Sequence, residues 1–307
     1  EIAIDDINKM DNFYHYEAVI EDSMMNSAKA ANIISKMINI DKIDAVITAA
    51  SNVCNVIAPI AEKNKVIHIA NASDPNVATG KYNFINWTQP EFQAKKMVET
   101  IADKGYKNVA IVILNQEGSI ACGEALTEGL NNKGIKNEVV LFNTGTKDFR
   151  MDVKRMADKK IDLYVVMLYN PEISIFIKQL REHGVEADVT SIETFSFMEG
   201  KQLIEGSWYV DAATADDYTM KRIKEHNKSD ATYAVGNMYD DIMLIAKAFE
   251  AADSKEQAID KMLEIKEYNG ITGHVEQDEN GIFNSEAIVK KIVDGKIVIS
   301  PKADVHE

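Results

Sequence analysis

Tyr169-Asn170-Pro171-Glu172 follows the apolar run Leu163–Leu168, and Glu193 follows the next apolar run, Val189–Ile192. A phenol and a carboxylate therefore stand at the ends of two neighbouring strands. In open parallel sheets, ligands bind in the crevice outside the carboxyl ends of the strands. A carboxylate buried there is costly unless a cation meets it, and a ligand ammonium group would serve. Signatures of other chemistries are missing. No Gly-x-Gly-x-x-Gly follows a strand, and there is no Walker loop, no Gly-x-Ser-x-Gly elbow and no His-Glu-x-x-His. His15, His68, His183, His226, His274 and His306 are scattered without metal-ligand spacing. No catalytic residue, metal or cofactor is expected, although a doubly wound enzyme stays open because fold alone does not fix function.

With 307 residues the chain exceeds one comfortable core and predicts two lobes. An apolar fraction of 46% and a charged fraction of 27% belong to an ordinary water-exposed globular protein. The net charge of -15 argues against nucleic acid as a partner, since phosphate binding needs clustered Lys and Arg. No run reaches the roughly 18 apolar residues of a membrane span. The chain opens on Glu1-Ile2-Ala3-Ile4, already inside a helical pattern, so no signal peptide is read from it; a mature chain would look the same. Cys54 and Cys122 form no metal motif and no disulfide framework, and two partly buried free thiols are expected.

Short apolar runs alternate with amphipathic stretches along the chain. Strands are expected at Asp44–Ala49, Val66–Ala70, Val109–Leu114, Leu163–Leu168 and Val189–Ile192. Helices are expected at Ser51–Asn64, Pro90–Lys104 and Ile173–His183, between those runs. This alternation predicts right-handed βαβ units and parallel sheets, an α/β fold of two doubly wound lobes. After Ser207–Asp211 the chain returns to the first lobe through helices at Tyr218–Asn227 and Tyr233–Ala252. Asp278-Glu279-Asn280-Gly281 reads as a turn between short strands, and Ala287–Val293 and Lys296–Ile299 as a closing hairpin across Asp294-Gly295. No Pro/Gly/Ser-rich linker separates the lobes, so several direct crossovers are expected. Residues 1–87 with 214–282 are assigned to the first lobe and 88–213 with 283–307 to the second.

Glu1–Asn8, Ala49-Ala-Ser-Asn52, Asn71-Ala-Ser-Asp-Pro75, Tyr169-Asn-Pro-Glu172, Glu193 and Gly270-Ile-Thr-Gly273, in this order and spacing, resemble the type I periplasmic binding proteins. Within these the chain is most similar to the branched-chain amino-acid-binding (leucine/isoleucine/valine-binding) receptors, over nearly its whole length. The resemblance implies two lobes closing by a multi-crossover hinge around one small ligand. It also implies a role as receptor of an ABC-type importer, with a membrane permease as partner, in the periplasm or outside the cell. A lipid anchor is compatible with that role.

The resemblance also assigns ligand residues. Ser51 matches a serine that starts the helix after the first matched strand, where unpaired N–H groups and the positive dipole end suit a ligand carboxylate; a serine there equally serves as a helix cap. Asn71, Ala72 and Ser73 match a loop whose carbonyl accepts from the ligand ammonium and whose hydroxyl bonds the charged head. That loop is one residue shorter here, which leaves the choice between the Asn71 and Ala72 carbonyls open; an ordinary turn is the alternative. Tyr169 would pack or hydrogen-bond over the ligand, and Glu193 matches the acid that takes the ammonium. Glu172 reads as a first-turn acid of the following helix. Ala49, Ala50, Gly118 and Phe195 match pocket-lining positions. Gly118 stands where several members carry a larger residue, which points to an apolar or aromatic amino acid. The family also opens with a strand and loop before the helix matching Glu1–Asn8; either that strand precedes Glu1 or a strand from elsewhere in the chain substitutes for it. Two other roles stay open: a ligand-sensing domain, and a receptor for an amide or aromatic carboxylate, which would leave Glu193 without its cation.

Overall fold

The computed structural model describes residues 1–227 and 234–299. The expected helix start at Tyr233 lies outside the described residues. Contacts divide the chain into two compact units, Glu1–Gln89 with Ala213–Glu286, and Pro90–Ala212 with Ala287–Glu307. Both are α/β.

The first stretch supplies α1 (Ile2–Ile7), α2 (Ser27–Lys36), β1 (Ala45–Ala49), α3 (Ser51–Asn64), β2 (Ile67–Asn71) and β3 (Asn83–Asn86). The second unit follows with α4 (Pro90–Asp103), β4 (Asn108–Leu114), α5 (Glu117–Asn132), β5 (Lys136–Phe142), α6 (Arg150–Ala157), β6 (Leu163–Met167), α7 (Glu172–Glu182), β7 (Asp188–Thr190) and β8 (Trp208–Ala212). The chain re-enters the first unit for α8 (Asp217–Asn227), α9 (Val235–Glu250), α10 (Ala258–Glu264), β9 (Glu267–Gly270), β10 (Gly273–Gln277) and β11 (Ile282–Asn284). It ends in the second with β12 (Ala287–Val293) and β13 (Lys296–Ile299).

In the second unit β5-β4-β6-β7 form a parallel sheet. Its central strands β4 and β6 read as near-continuous apolar runs because both their faces are covered. Along β4, Ala110, Val112 and Leu114 enter one core, while Val109, Ile111 and Ile113 enter the other. Strand β6 divides the same way, with Tyr164 and Val166 on one face and Leu163, Val165 and Met167 on the other. The chain passes from β4 to β5 on one side and then to β6 on the other. The order therefore reverses at β4, and a crevice opens at its carboxyl end. A parallel bridge from Ile192 to Val210 carries this sheet on toward β8, which pairs antiparallel with β12, and β12 with β13.

In the first unit the order is β1-β2-β3-β11-β10-β9, parallel from β1 to β11 and antiparallel beyond. The expected lobe boundary at 282/283 falls inside β11, whose Ile282 and Phe283 pair with β3 Ile85 and Asn86. That pairing keeps the whole strand in the first unit. Among the described residues no strand pairs with the outer edge of β1, so the substitute strand considered above is not seen. The core lies between this sheet and α9 and α10, where Ile67, Ile69, Phe84, Leu244, Met262 and Phe283 meet.

Two polar features of this unit have measurable consequences. His68 on β2 is fully buried, with Nδ1 2.8 Å from Asn83 Oδ1 and Nε2 2.6 Å from Thr48 Oγ1. Burial disfavours the imidazolium and lowers the pKa to about 4. Because the folded value lies below the unfolded one, near 6.5, this contribution is complete above pH 6.5 and is lost as pH falls toward 4. Urea unfolding followed through Trp87 is expected to show a pH-dependent loss of up to about 3 kcal/mol across that window. His68→Gln should remove that slope, and superimposable profiles would refute the assignment.

Gly270 packs against α9 so closely that an added Cβ would stand 2.3 Å from the Asp240 carboxyl. That carboxyl accepts from the amides of Ile271 (2.9 Å) and Thr272 (3.0 Å) and from Thr272 Oγ1 (2.5 Å). Gly270→Ala is therefore expected to destabilise by about 1–3 kcal/mol, the usual cost of overpacking. An unchanged urea midpoint would show that the loop yields freely.

Candidate functional site

In the first unit, β1 ends at Ala49, and Ala50 turns the chain with φ +72° into α3. A non-glycine residue in that region is strained, and such strain gathers at ligand clamps. The Ser51 and Asn52 amides at the start of α3 have no intrahelical acceptor, so the positive end of a 14-residue helix is presented there. Ser51 is buried, and its hydroxyl accepts from the Asp74 amide at 3.2 Å, tying the 71–75 loop to the helix start. Asp74 in turn accepts from Asn55 Nδ2 at 2.7 Å.

Asn71, Ala72 and Ser73 are buried beside this helix start, with Asn71 paired to Ala49 across the strands. The Asn71 carbonyl already accepts from the Ala50 amide at 3.2 Å, and the Ala72 carbonyl from Gln89 Nε2 at 3.2 Å. The Asn71 side chain turns inward, donating to Asp241 at 2.9 Å and to the Asn86 carbonyl at 3.1 Å. Burial drives the pKa of Asp241 upward against these donors. Gln89, also buried, is a residue the sequence reading passed over; its Oε1 has no partner among the described residues.

In the second unit, Tyr169 follows β6 and stacks on Phe197, ring centroids 5.4 Å apart. Burial raises the pKa of its phenol, the charge of Glu193 raises it further, and a hydrogen bond with Ser119 opposes both. Glu193 is 7% exposed and adopts φ +64°. Its amide donates to the Val210 carbonyl at 2.8 Å and its carbonyl accepts from the Ser196 amide at 2.9 Å. Gln93 Nε2 on α4 donates to Glu193 Oε1 at 2.6 Å. Tyr169, Ser119 and Glu193 thus gather at the carboxyl ends of β4, β6 and β7, with half-buried Gly118 beside Ser119.

Phe195 does not fit its expected pocket-lining place. It is fully buried in the core, its ring 5.8 Å from that of Tyr209. The reversal at Glu193 starts a short helical turn, Thr194–Ser196, that carries the ring inward. Glu172 is likewise committed to structure, accepting from the Gly145 amide at 2.6 Å. Gln93 and Ser119 were missed, yet both leave a trace in the sequence. Each is a polar residue on the buried stripe of its helix, Gln93 among Ala94, Met97, Val98 and Ile101, and Ser119 among Cys122, Gly123, Leu126 and Leu130. Both cysteines are buried thiols.

In doubly wound units, polar groups at the carboxyl ends of the parallel strands mark where a ligand binds. The family model described as periplasmic binding protein matches residues 1–296, and the chain belongs to that family. Its fold is that of the type I members. The leucine-binding protein LivK of Thermotoga maritima MSB8 is similar in structure, with TM-score 0.85, 22% identity, and coverage of 97% of this chain and 91% of that one. LivJ of Streptococcus pneumoniae str. Canada MDR_19A, solved with isoleucine, gives 0.83 and 20%, covering 96% and 90%. An ABC-transporter solute-binding protein of Rhodopseudomonas palustris BisB5, solved with 3,4-dihydroxybenzoic acid, gives 0.82 and 17%, covering 96% and 88%. A search of curated proteins finds no match. Among the described residues no helix is long and apolar enough to cross a membrane.

Proposed function

We propose that this chain is the solute receptor of an ABC-type importer, that it works in the periplasm or outside the cell, and that it binds an amino acid without transforming it. In the first unit, the amides at the start of α3, with Ser51 and Ser73 beside them, suit a ligand carboxylate. In the second unit, Glu193, with Tyr169 alongside, suits a ligand ammonium. The observation that carries this reading is Glu193 itself, a buried carboxylate at the strand ends on a strained backbone. Its carboxylate already accepts from Gln93 Nε2, and a ligand ammonium would add a charge-assisted hydrogen bond to the same group. The relatives solved with isoleucine and with leucine are in keeping with such a ligand. The membrane permease of the importer is the proposed partner.

Relatives solved with 3,4-dihydroxybenzoic acid and with benzoate support a second reading, an aromatic carboxylate. Such a ligand offers Glu193 no ammonium, and this places it second. A thermal-shift screen of the twenty amino acids against benzoate and its hydroxylated forms separates the two, because a ligand of the native state raises Tm. Stabilisation by one or a few amino acids, recovered unchanged by mass spectrometry, is the expected result. Stabilisation by aromatic acids alone would overturn the amino-acid reading, and a converted ligand would overturn the non-catalytic one.

A further inference from the structure

We infer that Gln93 is the positioning residue that makes the second unit selective for a positively charged ligand group, acting through Glu193. This inference rests on the amino-acid reading above and deepens it.

Gln93 is completely buried on a helix face otherwise lined by Ala94, Met97, Val98 and Ile101. An amide in such a place is costly unless both of its ends are bonded. Here both are. Nε2 donates to Glu193 Oε1 at 2.6 Å, and Oε1 accepts from Cys122 Sγ at 3.7 Å. The chemistry of the neighbours fixes which end faces which. An ionised carboxylate only accepts, whereas a thiol can donate. Turning the amide over would set its oxygen against the carboxylate, so the thiol and the acid together hold it one way round.

For Glu193 the consequence is a clamp at three points. Its amide is bonded to Val210, its carbonyl to Ser196, and one carboxylate oxygen to Gln93. A donor on one carboxylate oxygen holds the side chain in one orientation, and an oriented carboxylate needs no reordering when a cation arrives. Gln93 therefore assists a ligand through its ammonium end. A ligand without an ammonium gains nothing from it.

The test is isothermal titration of L-leucine and of its des-amino analogue, 4-methylpentanoate, into the full chain and its Gln93→Met variant. A hydrogen bond to a charged group corresponds to a loss of roughly 10- to 100-fold in affinity, expected for leucine and not for the analogue. In a Glu193→Gln background the same Gln93→Met change should cost leucine almost nothing, since the two residues act as one unit. A merely structural role would weaken both ligands alike and persist in that background, and either result overturns the inference. If Gln93→Met does not fold, the exchange Gln93→Glu with Glu193→Gln keeps one amide against one carboxylate. Leucine affinity is then expected to fall at least 10-fold because the anion has moved, and wild-type affinity would overturn the inference. Failure of the amino-acid reading itself looks different: the unaltered chain then binds no amino acid in the thermal screen, and the inference falls with it.

Discussion

Glu193→Ala is expected to weaken amino-acid binding by roughly 2–5 kcal/mol, the range for truncating one partner of a buried charge pair. Much of that loss comes from what is left behind. The ligand ammonium would be desolvated without a counter-charge, and Gln93 Nε2 would lose its acceptor. Glu193→Gln separates charge from shape, because it keeps the volume and an acceptor oxygen but no negative charge. It should fall between wild type and alanine. Calorimetry with the amino acid found in the thermal screen decides the matter, and an unchanged dissociation constant would remove Glu193 from the site. An aromatic carboxylate would respond the other way, keeping or improving its affinity once the like charge is gone.

Asp211→Ala should severely destabilise the fold of the second unit. Asp211 Oδ2 accepts from Lys290 Nζ at 2.8 Å, with the two side chains only 4% and 3% exposed. The Ser196 hydroxyl donates to the same oxygen, and the Ala212 amide to Oδ1 at 2.8 Å. The pair joins β8 to β12 near the ends where the chain leaves and re-enters this unit. Removing the acid strands a buried ammonium, at a cost of about 3–5 kcal/mol. Removing both charges is a different experiment. In Asp211→Leu with Lys290→Met no ion is left unpaired, and well-packed apolar replacements of buried pairs are often neutral or stabilising. The double variant should therefore recover most of the loss. Urea unfolding read through Trp208 in a Trp87→Phe background follows the second unit alone. Equal losses in the single and double variants would mean that packing, and not the stranded charge, sets the cost.

The parallel strands were legible in the sequence for a simple reason. Val109–Leu114 and Leu163–Leu168 are apolar at every position, as strands covered on both faces must be, and alternate side chains do enter two different cores. The turn at Asp278–Gly281 and the hairpin across Asp294-Gly295 were equally plain, because turn residues punctuate them. The boundary between units was read a few residues early because nothing local separates β11 from β12. Its pairing with β3 on one side and β10 on the other assigns that strand. Phe195 was misplaced because it stands two residues after the strand-end acid. The inward turn depends on Glu193 adopting a positive φ, which a glutamate does not announce.

Taken alone, the sequence determined the architecture of two doubly wound units and the places where chemical groups stand at strand and helix ends. Those features follow from burial and periodicity, which are properties of neighbouring residues. The tertiary structure decided which of those groups are already engaged: Asn71 with Asp241, 170 residues away, Glu172 with Gly145, and Gln93 with Glu193, 100 residues away. Most buried donors and acceptors find a partner, and where that partner lies across such distances it is the packing of the elements that chooses it.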